Sequence, residues 1–400
     1  MIAVKPQILV WARETAGLDL DEAARKIYSS SKSSSAVDKM RQLERGERQL
    51  TQRQLYKLAK AYHQPQSLFY LPEPPRDWKW GADFRTVPEG GFDHKGNARM
   101  HLLLRNMLAS QGIMSDLLEH DEDTGQLPYV GSMNIADGVD RIAEDIVKTI
   151  GFAFDAFRSE RTVRDAFGYL RGRLESAGIF VLLQCNLGSH HTDIPPEVFR
   201  GFALADKYAP YIVINRKDAV SAWSFTALHE ATHLWLGNTS VSGAWGELEI
   251  ERFCNQVAAS ILLPAHELDT LPPMNKVSLD MAAETISDFA DGRNISRTMV
   301  AYNLWQRGRI RRSRWLALWD RFRQEWLEHK AREQNARRDR DGGPSYYTVR
   351  RFNLGPRLTS YARDFLHSPE LTPTKAGILL RVPTMKVYPL LDPNYYDGRL

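Results

Sequence analysis

The pattern of apolar and polar positions divides this 400-residue chain into helical stretches, one strand-rich stretch and several breaks. In residues 6–75, PQILVWARETAG places Ile8, Leu9, Ala12 and Ala16 on one helical face. Asp19 has the position of an N-cap for DLDEAARKI, with Glu22 three residues on as in a capping box. A serine-rich joint, SSSKSSS, precedes VDKMRQLERGER, where Gly46 is the expected helix stop. TQRQLYKLAKAYH predicts a further helix that starts from Thr51 and ends before Pro65. The prolines of LPEPP, at Leu71 to Pro75, read as a linker because neither helix nor strand tolerates them there.

Amphipathic helices are expected from about residue 98 to 185, with a softer loop around 120–131. GIFVLLQC, from Gly178, is a short apolar run and reads as a strand. GFALADKYAPYIVIN reads as two strands with a turn near Lys207 to Pro210. SFTALHEATHLWLG, from near Ser224, and ELEIERFCNQVAASILLP follow as two helices, each ended by Gly or Pro. Basic, Trp-containing helices occupy roughly 296–338, RRDRDGGPS is a linker-like break, and a small terminal unit fills about 345–400. The chain carries no internal repeat.

Composition narrows the class. With 43% hydrophobic and 26% charged residues the chain can bury a sizeable core, and its length suggests two or three domains. A net charge of +4 is too small to argue nucleic-acid binding by itself. Only Cys185 and Cys254 are present, which excludes a disulfide framework and fits a reducing cytosol. The N-terminus lacks the pattern of a signal peptide, and no window approaches the roughly 18 apolar residues of a membrane span. The expected setting is cytoplasmic, with no membrane partner.

The candidate chemistry sits in HEATH, His229 to His233. On a helix, positions i and i+4 share a face, so both imidazoles can reach one metal ion, with Glu230 placed to act on a water activated there. The helix's inward stripe is Phe225, Leu228, Thr232 and Leu236, and the two histidines fall on it. Burying two adjacent imidazoles without partners is costly, and a shared Zn2+ satisfies both. Catalytic zinc takes three protein ligands as a rule. Glu251, in the next helix, is the favoured third, because Cys254, Asn255, Ala258 and Ala259 on its face let two helices approach closely. Glu247, Glu249, His266, His190 and His191 compete for the role.

FTALHEATHLWLG followed by ERFCNQVAASILLP resembles the core of the ImmA/IrrE family of zinc metallo-endopeptidases, over about residues 160–265. In that family the Glu opening E-x-x-x-N-x-x-A-x-x-x-L-x-P supplies the third ligand, which the resemblance places at Glu251; Asn255, Ala258 and Pro264 match the same pattern. The strand pair before the metal helix agrees as well. Trp223-Ser224 departs from the basic residue that many relatives carry there. The resemblance implies a zincin-like core with a small sheet, zinc on His229, His233 and Glu251, and Glu230 as the catalytic base of peptide hydrolysis.

The N-terminal block resembles an XRE-type helix-turn-helix, through Glu22-Ala23-Ala24, the Glu44 to Glu47 turn and Leu55, Leu58 and Ala59. That resemblance puts Ser33, Ser34, Ser35, Asp38 and Lys39 toward a DNA groove and Lys32, Arg41, Arg45 and Arg48 toward phosphates. Few of these residue types read bases well, so a helical module for partner contact or dimerisation is the competing reading. RGRIRRSR, at Arg307 to Arg314, with Trp305, Trp315, Trp319 and Trp326 nearby, could stack and neutralise a nucleic acid. The simpler expectation puts the tryptophans in the core and leaves the arginines solvated.

The fold class expected is therefore α+β and mostly helical. It comprises a helix-turn-helix bundle over 1–75, a zinc peptidase domain over 76–340 and an accessory segment over 341–400. The function expected is a DNA-binding regulator fused to a zinc endopeptidase, controlling a phage, toxin–antitoxin or stress-response locus. Its partners would be operator DNA near its own gene and a protein substrate or toxin, with room for a homodimer. Two alternatives stand beside it: an antitoxin-like regulator or ligand sensor whose peptidase fold does not cut, and a housekeeping peptidase with an interaction module.

Overall fold

The computed structural model describes residues 4–28, 33–62, 64–74, 94–188, 192–241, 248–338, 343–368 and 370–392. They form two compact units, Met1–Met107 with Asn186–Val198, and Leu108–Cys185 with Phe199–Leu400.

In the first unit, α1 (Pro6–Thr15), α2 (Leu20–Ile27), α3 (Ser33–Glu44) and α4 (Gln52–Ala61) enclose a core built on Ile8, Leu9, Ala24, Leu43, Leu55 and Tyr62. The polar signals set the helix ends. Asp19 and Glu22 form the expected capping box, and Thr51 forms a second one with Gln54. Gly46 follows α3 at φ +75°, a left-handed conformation that glycine adopts at little cost. The serine joint is shorter than its composition implied, because α3 already begins at Ser33. Ala36, Met40 and Leu43 follow at helical spacing and are buried, so packing draws the last serines into the first turn. Arg13 ties α1 to α3 through a bidentate pair with Glu44, at 2.7 and 3.2 Å. Helix α5 (His94–His120) carries the chain from the first unit into the second.

The second unit opens with α6 (Val139–Ile150), α7 (Phe154–Ser159) and α8 (Val163–Ser176) and then forms its sheet. Strands β1 (Phe180–Gln184), β2 (Gly201–Leu204), β3 (Tyr211–Asn215) and the two-residue β4 (Ser240–Val241) lie in the order β1-β3-β2-β4. β1 runs parallel to β3, with Phe180 opposite Tyr211, whereas β2 is antiparallel to both β3 and β4. Every position of β1, β2 and β3 is buried, which accounts for apolar runs broken only by Gln184 and Asn215 at the strand ends.

α9 (Val220–Trp235) lies on this sheet, and α10 (Leu248–Leu262) packs along it. The amphipathic stripe expected for α9 is not what its surroundings impose. All positions from Thr226 to Trp235 are buried, so the helix is central and begins earlier, at Val220. Cys254 and Ala258, both fully buried, allow α10 its close approach. Trp235 stacks on Tyr129 with ring centroids 4.3 Å apart and donates Nε1–H to Asp145 at 2.7 Å, fixing the end of α9 against α6.

α11 (Leu279–Asp291), α12 (Arg297–Gln306) and α13 (Arg312–Arg338) pack on one another. α14 (Tyr346–Leu354), α15 (Pro356–His367), α16 (Pro373–Leu379) and α17 (Val387–Leu391) complete the unit, α14 against β1 and α15 against α8. The buried Arg171 of α8 donates to the Phe352 carbonyl at 2.6 Å, and Glu175 accepts the Arg357 backbone N–H at 3.0 Å. Among the described residues no helix is long and apolar enough to cross a membrane.

Candidate metal centre

His229 and His233 leave α9 one turn apart with ring centroids separated by 5.0 Å. Their Nε2 atoms are 3.2 Å apart. Glu251, in the first turn of α10, faces both: its Oε2 lies 3.3 Å from Nε2 of His229 and its Oε1 3.3 Å from Nε2 of His233. The three residues form a cluster able to hold a metal ion, and all donor atoms lie within 4.8 Å of one another. With one donor atom taken from each residue, that spacing lets the three side chains reach a single ion. On His229, Nδ1 meets Oδ1 of Asn255 at 3.1 Å, a contact that assigns the proton to Nδ1 and leaves a lone pair on Nε2. The donor set therefore fits a borderline divalent cation such as zinc.

Electrostatics at the cluster are strongly coupled. Burial alone would lower the His229 imidazole, but hydrogen bonding to Glu251 and the charge of Glu230 outweigh it and raise its pKa. Burial would raise Glu251, yet hydrogen bonds and charge from the two histidines pull it down to about 2. The carboxylate is thus held ionised. Burial, reinforced by the charges of Glu251 and Glu230, pushes the neighbouring Cys254 thiol far up, so this cysteine stays protonated.

Glu230 is fully buried from bulk solvent and lines the same cavity, of about 360 Å3, as His229 and Glu251. β2 passes directly beneath it: a Cβ on Gly201 would sit 2.9 Å from Oε1 of Glu230 and 2.5 Å from Cγ2 of Thr226. Sequence reasoning did not single out this glycine. It also missed the other cavity walls, which are Arg200 before β2, Met299 and Tyr302 of α12, and Trp315 and Trp319 of α13. The Trp spacing of four residues was the available signal. Both tryptophans are half-buried: Trp315, like Trp305, packs against the core as expected while also lining the cleft, and Trp319 is a cleft wall. In the basic run Arg307, Arg311 and Arg312 are exposed as expected, whereas Arg309 and Arg314 are half-buried. Arg309 pairs with Asp269 at 2.7 Å, and Arg314 donates to the Ser278 carbonyl at 2.9 Å.

Of the competing ligands, Glu249 and His266 are exposed and stand outside the cluster, whereas Glu247, His190 and His191 lie outside the described residues. On the first unit, Ser35, Asp38, Arg41, Arg45 and Arg48 are exposed. Arg41 pairs with Asp38 at 3.0 Å, and the half-buried Lys39 holds its Nζ 5.7 Å from the Tyr28 ring centroid. Ser33 and Ser34 belong to the first turn of α3, but their side chains, like all of Lys32, lie outside the described residues.

A two-histidine, one-glutamate cluster that could hold a metal ion, on adjacent helices beside a small mixed sheet, is the feature that defines this site. Residues 179–302 match the family model of the IrrE N-terminal-like domain, peptidase family M78. The match supports the ImmA/IrrE family for this segment and the description of it as a metallopeptidase domain. It contains all three cluster residues, Glu230, and α9 through most of α12. No curated protein and no solved structure gives a match.

Proposed function

We propose that the chain is a zinc-dependent endopeptidase joined to an N-terminal DNA-binding module, and that it controls a phage, toxin–antitoxin or stress-response locus. The convergence of His229, His233 and Glu251 carries the peptidase part of this reading. Zinc held by these three residues would supply a Lewis acid that lowers the pKa of water and polarises a carbonyl. Glu230, buried at the cavity wall, accepts the proton of the attacking water and delivers it to the leaving amine. Asn255 fixes the ring of His229 so that Nε2 stays turned inward. Burial of α9 on all sides keeps water from reaching the site except through the cavity.

For the first unit the support is the helix order and the exposed Ser35 and Arg41 of α3, joined by the exposed Arg45 and Arg48 just beyond it. Arg41, Arg45 and Arg48 are assigned to phosphates, and Ser33, Ser34, Ser35 and Lys39 to the groove. Lys32, which precedes α3, is assigned to phosphate, and Ser33 and Ser34 to the groove, on sequence grounds alone. The module spans 1–75, ahead of the peptidase domain at 76–340 and an accessory segment at 341–400.

The deciding experiment is metal analysis of the purified chain beside Glu251→Ala, followed by incubation of wild type and Glu230→Gln with the protein encoded by the adjacent gene. About one zinc per chain is expected, lost in Glu251→Ala, with cleavage by wild type alone. A wild type without metal removes the peptidase reading, and equal products from both proteins remove Glu230 as the base. A gel shift with the upstream DNA of its own gene tests the first unit; binding that does not weaken with salt rejects it.

A further inference from the structure

The wall of the cavity that faces the metal triad is aromatic and rigid. Trp305 and Trp315 stack face to face, with centroids 4.3 Å apart and planes 7° from parallel. Tyr302 meets both edge-on, at 5.6 and 5.8 Å. With one face of Trp315 covered by Trp305, its remaining surface lines the cavity beside Met299, Tyr302 and Trp319. Trp315 and Trp319 belong to α13, beyond residue 302, where the family match ends. The two tryptophans thus lie outside the matched segment, whereas Met299 and Tyr302 of the same wall lie inside it.

We infer that the cavity selects peptides by an aromatic or large aliphatic side chain beside the scissile bond, seated against Trp315. The inference rests on the peptidase reading and names its substrate class. Stacked rings are ordered before anything binds, so an apolar side chain loses little on meeting them and gains the full benefit of leaving water. The volume, about 360 Å3, suits one large side chain with its flanking backbone. A nucleobase would also stack on tryptophan, but its phosphates need cations at the wall. Among the lining residues, outside the triad, the one permanent cation is Arg200. Of the nearby basic run, Arg309 and Arg314 are turned to Asp269 and to the carbonyls of residues 271, 277 and 278, and the exposed Arg307, Arg311 and Arg312 are not among the cavity's lining residues. Peptide is the better occupant.

The test uses full-length, zinc-loaded Glu230→Gln, which binds without cutting, and capped tripeptides acetyl-Ala-Xaa-Ala-amide with Xaa as Gly, Leu or Phe. Calorimetry is expected to give at least about tenfold tighter binding for Phe than for Gly. Trp315→Ala, added to the same background, should cut that advantage to less than about threefold, and Trp315→Phe should keep most of it. Trp319→Ala, one turn further along the same wall, is an independent second variant expected to weaken the Phe peptide more than the Gly peptide. Melting temperature and zinc content serve as controls for folding. Equal affinity for Phe and Gly, a Phe advantage that survives Trp315→Ala, or no peptide binding at millimolar concentration would each overturn the assignment. So would a short oligothymidylate that binds in place of the peptides and depends on Trp315. Acetohydroxamate, which seeks the metal without any side chain, separates the two readings. If it fails to bind while the Phe preference persists, the peptidase reading falls and the apolar subsite stands.

Discussion

Nδ1 of His229 faces Oδ1 of Asn255 at 3.1 Å, a contact made across the α9–α10 interface one turn beyond Glu251. α10 therefore does two things with residues four apart. Glu251 completes the donor set, and Asn255 sets the tautomer of the first histidine.

Replacing Asn255 by Ala removes the acceptor but leaves all three donors. Metal affinity is expected to fall about 10- to 100-fold. Competition with a chromophoric chelator measures it. Asn255→Asp, which keeps an acceptor at the same reach, should recover most of the loss. An Asn255→Ala protein with unchanged affinity would show that packing alone holds the ring.

Gly201→Ala probes the proton-transferring side of the site without touching a donor. Its Cβ would lie 2.5 Å from Thr226 Cγ2 and 2.9 Å from Glu230 Oε1, so the Thr226 and Glu230 side chains must give way. A misplacement of about 1 Å at a reacting group costs up to about 100-fold in turnover. The expected outcome is a lower kcat with near-normal zinc content and KM. Loss of zinc instead would mean that the strain passes through α9 to His229.

Much of this site was legible in the sequence because it is local. Two histidines at i and i+4 need only a helix to share a face, and the small residues after Glu251 announced a close helix–helix contact. The strands around Phe180, Gly201 and Tyr211 were legible as apolar runs between turn residues. Three features were not. The register of α9 was masked because a helix buried on every side has no stripe to read. Gly201 approaches Glu230 through a strand-to-helix contact that no spacing encodes. Trp315 and Trp319 carry the same helical period whether they face a core or a cleft, so periodicity cannot tell the two apart.

Gly355 joins α14 to α15 with φ +89° and ψ 152°, a region open essentially to glycine alone. A Cβ there would lie 2.4 Å from Glu175 Oε1 and 2.5 Å from Arg171 Nη2, the buried pair that receives the C-terminal helices. Gly355→Ala should therefore destabilise the second unit by about 2 kcal/mol or more. Gly343→Ala, with open space around it, should stay within about 0.5 kcal/mol. Denaturant midpoints of both variants decide the matter. Similar midpoints would show that the link can relax without cost.

Glu267 supplies a pH-dependent element away from the metal. Its Oε1 lies 2.6 Å from Arg158 and its Oε2 2.7 Å from Arg293, and each guanidinium lies over a ring, Phe154 or Phe289, 3.6 Å from the centroid. Burial would raise this carboxyl, but hydrogen bonds and charge from the two arginines prevail and hold it below its ordinary range. The unfolded chain binds the proton more readily, near pH ~4.3, than the folded one. The contribution to stability is accordingly complete above that value and is lost as pH falls through the lower folded pKa. Glu267→Gln should unfold at lower temperature than wild type near neutrality, because the two arginines lose their counter-charge. The gap should narrow steadily as the pH falls through the lowered pKa of the folded wild-type carboxyl, where that group also becomes neutral. Calorimetric melting of both proteins across this range is the measurement. A gap that stays constant with pH would show that Glu267 acts through shape and hydrogen bonding, with its charge contributing nothing.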